Sequence, residues 1–178
     1  AVIRIRDTVE NMGGRRTPFM ILYHCNFGHP LLADGARVLS KPHPVQAREK
    51  ESEPGLADVA RIQAPDAQWK AQVFYHDMVA DADGWVTIVL ANPNFIGGQG
   101  LGLEIRYRKA ELPFLTHWKQ LGIGDYVMGI EPGNCHVGGR VWEREHGTLQ
   151  YLEPGERRDL ALDFRILPDN RAIDAIGL

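Results

Sequence analysis

The sequence predicts an all-β protein of short antiparallel strands with little helix, and three observations lead there. Apolar and polar residues alternate with a period of two in many short segments, which is the pattern of strands with one buried face. Turn-forming residues break these segments, as at Asn11-Met12-Gly13-Gly14 and Pro154-Gly155. No apolar i, i+3, i+4, i+7 stripe of useful length occurs, so a helical fold has no support.

Ala1–Val9 alternates and reads as a first strand, closed by the turn at Asn11–Gly14. Thr17–Phe27 reads as a second strand and Ala36–Lys41 as a short third. Residues Pro42–Pro65 are richer in Pro, Glu and Ala and read as a long excursion with one helical turn near Leu56–Ile62. Strands then resume at Gln72–Met78, Trp85–Asn92, Leu101–Lys109, Phe114–Gln120 and Tyr126–Glu131. The Gly-rich stretch Gly97–Gly102 precedes no helix, so it is a hairpin connection and not a phosphate-cradling loop. After Pro154-Gly155, the residues Leu160, Leu162, Phe164 and Ile166 alternate as a closing strand with one buried face. One domain over residues 1–178 is expected.

Hydrophobic content of 44% and charged content of 24% are those of an ordinary globular protein. A net charge of -3 with scattered basic residues gives no reason to expect nucleic acid as a partner. No apolar run approaches the roughly 20 residues of a membrane span, so no membrane association is expected. Two cysteines, Cys25 and Cys135, form no disulfide framework, and a reducing, cytoplasmic setting is the default. The chain starts without Met and directly in strand-like sequence. That fits a processed chain or the later portion of a longer protein.

Four segments carry chemistry. In Phe19–Phe27 the alternation places Phe19, Ile21, Tyr23, Cys25 and Phe27 on one face, and Met20, Leu22, His24 and Asn26 on the other. His24 and Asn26 therefore project together, and an imidazole there can move protons near neutral pH. On this segment alone, a histidine satisfied by a backbone carbonyl is the simpler reading. In Tyr126–Glu131 the residues Val127, Gly129 and Glu131 share a face. Gly129 leaves space beside a carboxylate that needs a partner or ligand if buried; a surface glutamate at a strand end is the other reading. In Gln72–Met78, Gln72 and His76 share a face and offer hydrogen bonds to a pocket. In Phe114–Gln120, His117 and Lys119 share a face and Trp118 lies on the other. Planar hydrogen-bonding groups beside an aromatic face suit a sugar. No metal site is expected, because His24-Cys25 point to opposite faces and neither His29 nor Cys135-His136 completes a zinc spacing.

The two strongest segments meet a known pattern. Leu22–Gly28 (LYHCNFG) resembles the acid-bearing strand of galactose mutarotases, and Gly129–Asn134 (GIEPGN) resembles their later strand with the basic glutamate, in the same order. The wording is closer still to the aldose 1-epimerase-like family of that superfamily. The segments that carry it are Asp7–Asn11, Leu22–Gly28 with Pro30-Leu31-Leu32, Leu112–Lys119, Gly124–Asn134 and Leu152–Glu156, which span nearly the whole chain.

The resemblance implies a galactose mutarotase-like β-supersandwich, here incomplete at its N-terminus. It implies His24 as general acid and Glu131 as general base in the interconversion of sugar anomers, with no metal or cofactor. A small-molecule sugar is the implied partner. Asn26, Gln72, His76, Lys119 and Asn134 are the implied substrate-binding candidates, His76 or Gln72 standing where mutarotases carry an Asp. Family members also have upstream strands that line the sugar pocket, and this chain begins after them. A separate N-terminal portion or a second copy of the chain would then complete the site. Two other functions fit the same residues: a non-catalytic sugar-binding module on this fold, and a cupin-like metal enzyme using His24, His76 and Glu131.

Overall fold

A computed structural model describes residues 1–178. It contains two five-stranded antiparallel sheets and a two-stranded ribbon. The first sheet has the order β1 (Val2–Glu10), β12 (Arg157–Leu167), β8 (Leu101–Arg108), β7 (Trp85–Asn92), β4 (Arg37–Ser40). The second has the order β3 (Cys25–Phe27), β10 (Tyr126–Gly133), β9 (Phe114–Leu121), β6 (Gln72–His76), β5 (Val45–Ala47). β2 (Thr17–Phe19) pairs with β11 (Gln150–Leu152) in the ribbon.

The alternation seen in the sequence is what joins the two large sheets. Val86, Ile88 and Leu90 of β7, Leu103 and Ile105 of β8, and Leu160 and Leu162 of β12 face Leu115 and Leu121 of β9 and Met128 and Ile130 of β10 in one buried cluster. Fully burying each such side chain stabilises the fold by roughly 1.5–3 kcal/mol. Successive residues point to opposite faces, so these assignments fix the rest. Val73, Tyr75, Thr116, Trp118, Gly129 and Glu131 lie on the outer face of the second sheet. This is the antiparallel β-sandwich that the sequence predicts. No helix is long and apolar enough to cross a membrane.

Several boundaries differ from expectation. The second strand is not continuous over Thr17–Phe27: it divides into β2 and β3, and only Leu22 of the intervening residues forms a bridge, to Gly133. The cause is Asn134. Its Oδ1 accepts the Ile21 N–H at 2.7 Å, and its amide nitrogen donates to the Phe19 carbonyl at 3.1 Å, so the chain is led from the ribbon to the second sheet. The helical turn expected near Leu56–Ile62 lies earlier, as a 3₁₀ helix over Lys50–Asp58. Its Ser52 hydroxyl accepts the Val73 N–H at 3.0 Å, which docks it on β6. The Gly97–Gly102 stretch does connect a hairpin, β7 to β8, through the irregular turn α1 (Phe95–Gly98). Two short helices, α2 (Gly139–Glu145) and α3 (Asn170–Asp174), have no counterpart in the periodicity.

Candidate functional site

Glu131 lies near the end of β10, facing outward, and only 3% of it is exposed. Its side chain folds back over Gly129, where a Cβ would stand 2.2 Å from Oε1. The glycine is therefore occupied space: any other residue at 129 would displace the carboxylate. Burial pushes the Glu131 carboxyl above its ordinary range, and the nearby His24 pulls it back down in part.

His24 immediately precedes β3, the neighbour of β10. Its Nε2 stands 3.1 Å from Glu131 Oε1, and its side chain is half exposed. The contact has the distance of an ion pair without the alignment of a hydrogen bond, so Oε1 keeps its accepting capacity. The imidazole meets the Trp118 ring edge-on, with centroids 5.9 Å apart. His24, Glu131, Thr116, Trp118, Val73 and Val137 enclose a hollow of ≈ 240 Å³. In the sheet, Thr116 stands directly opposite Glu131, and Gly129 opposite Trp118. Thr116 Oγ1 is buried beside them and makes no hydrogen bond within the protein.

The site is thus an imidazole and a desolvated carboxylate over a half-buried indole. The arrangement can take a proton from one oxygen and give a proton to another close by. Asn26 pairs with Gly129 across β3 and β10 and is exposed on the same face, just outside the hollow.

The other four expected residues lie elsewhere. Lys119 is fully buried on the inner face; its Nζ donates to the carbonyls of Asp58 and Arg61 at 3.0 and 2.8 Å and to Gln63 Oε1 at 3.3 Å. Burial lowers its pKa to about 8. Gln72 stands opposite Lys119 and packs where Gly55 of the 3₁₀ helix leaves room for its amide. His76 is also on the inner face, its Nδ1 2.7 Å from His43 Nε2, and burial followed by the repulsion of His43 lowers its pKa to about 3. Asn134 is the buried clasp described above, with no exposed surface. The metal-enzyme alternative also loses its ligand set, because His76 points away from the face that carries His24 and Glu131.

Thr116, Val73 and Val137 were missed. The alternation of Leu115–Lys119 did carry the signal for Thr116, since it places Thr116 beside Trp118 and opposite in direction to His117 and Lys119.

Solved structures share this architecture. A protein from Klebsiella pneumoniae described as a "putative aldose 1-epimerase" superposes with a TM-score of 0.92 at 26% identity, over 98% of this chain and 45% of its own. A galactose mutarotase-like protein from Clostridium acetobutylicum gives a TM-score of 0.53 at 15% identity, over 92% of this chain and 52% of its own. One from Lactobacillus casei gives 0.53 at 18%, over 92% and 58%. The chain spans about half the length of these relatives. No curated protein matches it. A family model described as "Domain of unknown function (DUF4432)" matches residues 1–166, and the chain belongs to that family.

Proposed function

We propose that this chain is a carbohydrate isomerase of the aldose 1-epimerase type, with Glu131 as base and His24 as acid. The observation that carries the reading is the 3.1 Å approach of His24 Nε2 to Glu131 Oε1 above a hollow walled by Trp118. The likeness to the Klebsiella protein and to the mutarotase-like structures supports it.

The reaction needs two proton transfers, at the two oxygens of one carbon. The anomeric hydroxyl and the ring oxygen of an aldose are both bonded to C1, so an acid and a base that are close neighbours can serve both. Glu131 takes the proton of the anomeric hydroxyl while His24 protonates the ring oxygen. The bond from C1 to the ring oxygen breaks, and an open-chain aldehyde forms. Rotation about C1–C2 presents the other carbonyl face. Closure reverses the transfers: His24 recovers a proton from the attacking hydroxyl and Glu131 returns its own to the former carbonyl oxygen. The half-exposed His24 meets the sugar from the solvent side of Glu131, Trp118 supplies an apolar face for its C–H groups, and Asn26, exposed at the rim, receives its hydroxyls.

A double-variant cycle tests the pairing. Glu131→Gln and His24→Asn are each expected to cut kcat for anomer exchange by 10²-fold or more, in line with general acid–base contributions. The double variant is expected to be no slower than the slower single one, as for groups acting as a unit. Losses that multiply, or a Glu131→Gln protein at the wild-type rate, would refute the assignment.

A further inference from the structure

On the same face, a row of directly opposed residues runs from the acid/base pair across four strands: Glu131 on β10, Thr116 on β9, Tyr75 on β6 and Gln46 on β5. Strands lie about 4.8 Å apart, so Tyr75 is roughly 10 Å from Glu131, beyond the reach of a single pyranose ring. At that distance is a second, larger hollow of ≈ 570 Å³, lined by Gln46, Tyr75, Asp77, Phe114 and His136 among others.

This hollow is built. The His136 ring is held between aromatic neighbours, 4.1 Å from Phe114 and 4.7 Å from Tyr75 between centroids, with Trp142 behind it at 5.2 Å. Beneath it lies Glu143, a carboxylate with no exposed surface. Glu143 Oε1 accepts the His136 backbone N–H at 2.7 Å, and its other oxygen accepts from the Thr148 hydroxyl. The same Oε1 is 3.5 Å from His136 Nδ1, which is buried and makes no hydrogen bond. Glu143 thus fixes the His136 backbone from below, and the aromatic neighbours hold its ring, which makes no hydrogen bond within the protein.

The lining narrows its ligand class. No Lys or Arg lines the hollow, and Lys109, at its edge, is spent on Asp77 at 2.6 Å, so the lining itself presents no free cation to a phosphate or carboxylate. Two aromatic walls with His136, the edge of the largely buried His76, an amide and a carboxylate suit a neutral polyhydroxylated ring: the walls take its C–H faces and the polar groups its hydroxyls. The volume falls in the range of small-molecule sites.

We infer that this hollow is a second sugar subsite, which holds the distal ring of a disaccharide whose reducing end occupies the His24–Glu131 hollow. The inference rests on the proposed function for its direction along the row. It deepens that reading by naming a disaccharide, and not a free aldose, as the preferred substrate.

The test is direct binding, read by ligand-observed NMR, of lactose, maltose and cellobiose against galactose and glucose. Anomer exchange is recorded in the same samples. At least one disaccharide is expected to bind tighter than its reducing-end monosaccharide. His136→Gln is expected to lower that preference roughly three- to tenfold, the worth of about one hydrogen bond. Gln46→Ala, at an exposed edge position, provides a second variant that does not disturb buried Glu143. A preference that falls in either variant while no sugar exchanges faster would keep the subsite and remove the acid/base reading. Accelerated exchange with no disaccharide preference, or with a preference that both folded variants retain, would remove the subsite and keep the acid/base pair. No binding of any sugar would remove both.

Discussion

Replacing Gly129 with alanine tests the geometry of the site without touching either reacting group. The added Cβ would fall 2.2 Å from Glu131 Oε1 and 3.1 Å from its Cδ. Comfortable non-bonded separation is about 3.5 Å, so the oxygen must retreat by about 1.3 Å. A displacement of about 1 Å in a reacting group costs on the order of 10²-fold in rate, or roughly 2.7 kcal/mol of barrier. The fold should tolerate the change. Gly129 is an ordinary strand residue, alanine restricts the unfolded chain by about 0.4–1 kcal/mol in favour of the native state, and the clash falls on the end of a side chain. Gly129→Ala is therefore expected to lose about 100-fold in kcat/KM for anomer exchange, with its urea midpoint changed by less than about 1 kcal/mol equivalent. Exchange would be followed by NMR and unfolding by circular dichroism. A folded Gly129→Ala protein at the wild-type rate would show that the carboxylate's position over residue 129 is irrelevant to the chemistry.

Two further outcomes follow from the electrostatics. With its side-chain carboxyl carbon labelled, Glu131 should titrate in NMR above the ordinary glutamate range, because burial disfavours its charge. In His24→Asn the midpoint should rise further, since the stabilising imidazolium is gone; a fall would contradict the ion pair. By linkage, a carboxylate with a raised folded pKa loses stability as pH rises from the ordinary value to the raised one, so Glu131→Gln should be no less stable than wild type above that window. Lys119→Met strips three acceptors of their buried donor and should cost about 2 kcal/mol in urea unfolding. The folded Lys119 pKa of about 8 lies below its unfolded value of 10.5. The unfolded chain therefore holds more protons between those values, and wild-type stability should rise with pH across that window. The rise should vanish in Lys119→Met; its persistence would place its origin in another group.

How far the site could be read from the sequence turns on one limit of period-two patterns. Alternation says which residues share a face and not which face meets solvent. In Tyr126–Glu131 the apolar set Met128 and Ile130 settles the matter, and Glu131 with Gly129 must face outward. In Leu115–Lys119 both sets contain polar residues, and the choice of Lys119 over Thr116 picked the set that packs inward, away from Glu131. The partners that satisfy Lys119 are the carbonyls of Asp58 and Arg61, some sixty residues away, which no local pattern shows. Gln72 and His76 went inward for the same reason, met by Gly55 and His43. Asn134, next to the site in sequence, is spent on holding Phe19 and Ile21. α2 was invisible because its seven residues carry no repeat; it is clasped by the bonds of Glu143 to His136 and Thr148 on either side of it. The long strands β1, β7, β8, β9, β10 and β12, by contrast, followed from patterns each long enough to mark a strand, whereas the short β5 and β11 and the pairing order were not legible.

The measurement that bears most directly on the His24–Glu131 chemistry is saturation transfer between the α- and β-anomeric protons of a sugar, in the presence and absence of the purified chain. Transfer well above the spontaneous rate with the wild-type chain, returning to the buffer rate with Glu131→Gln, is the predicted result. Transfer at the buffer rate for every aldose and disaccharide that the folded wild-type chain binds would contradict it.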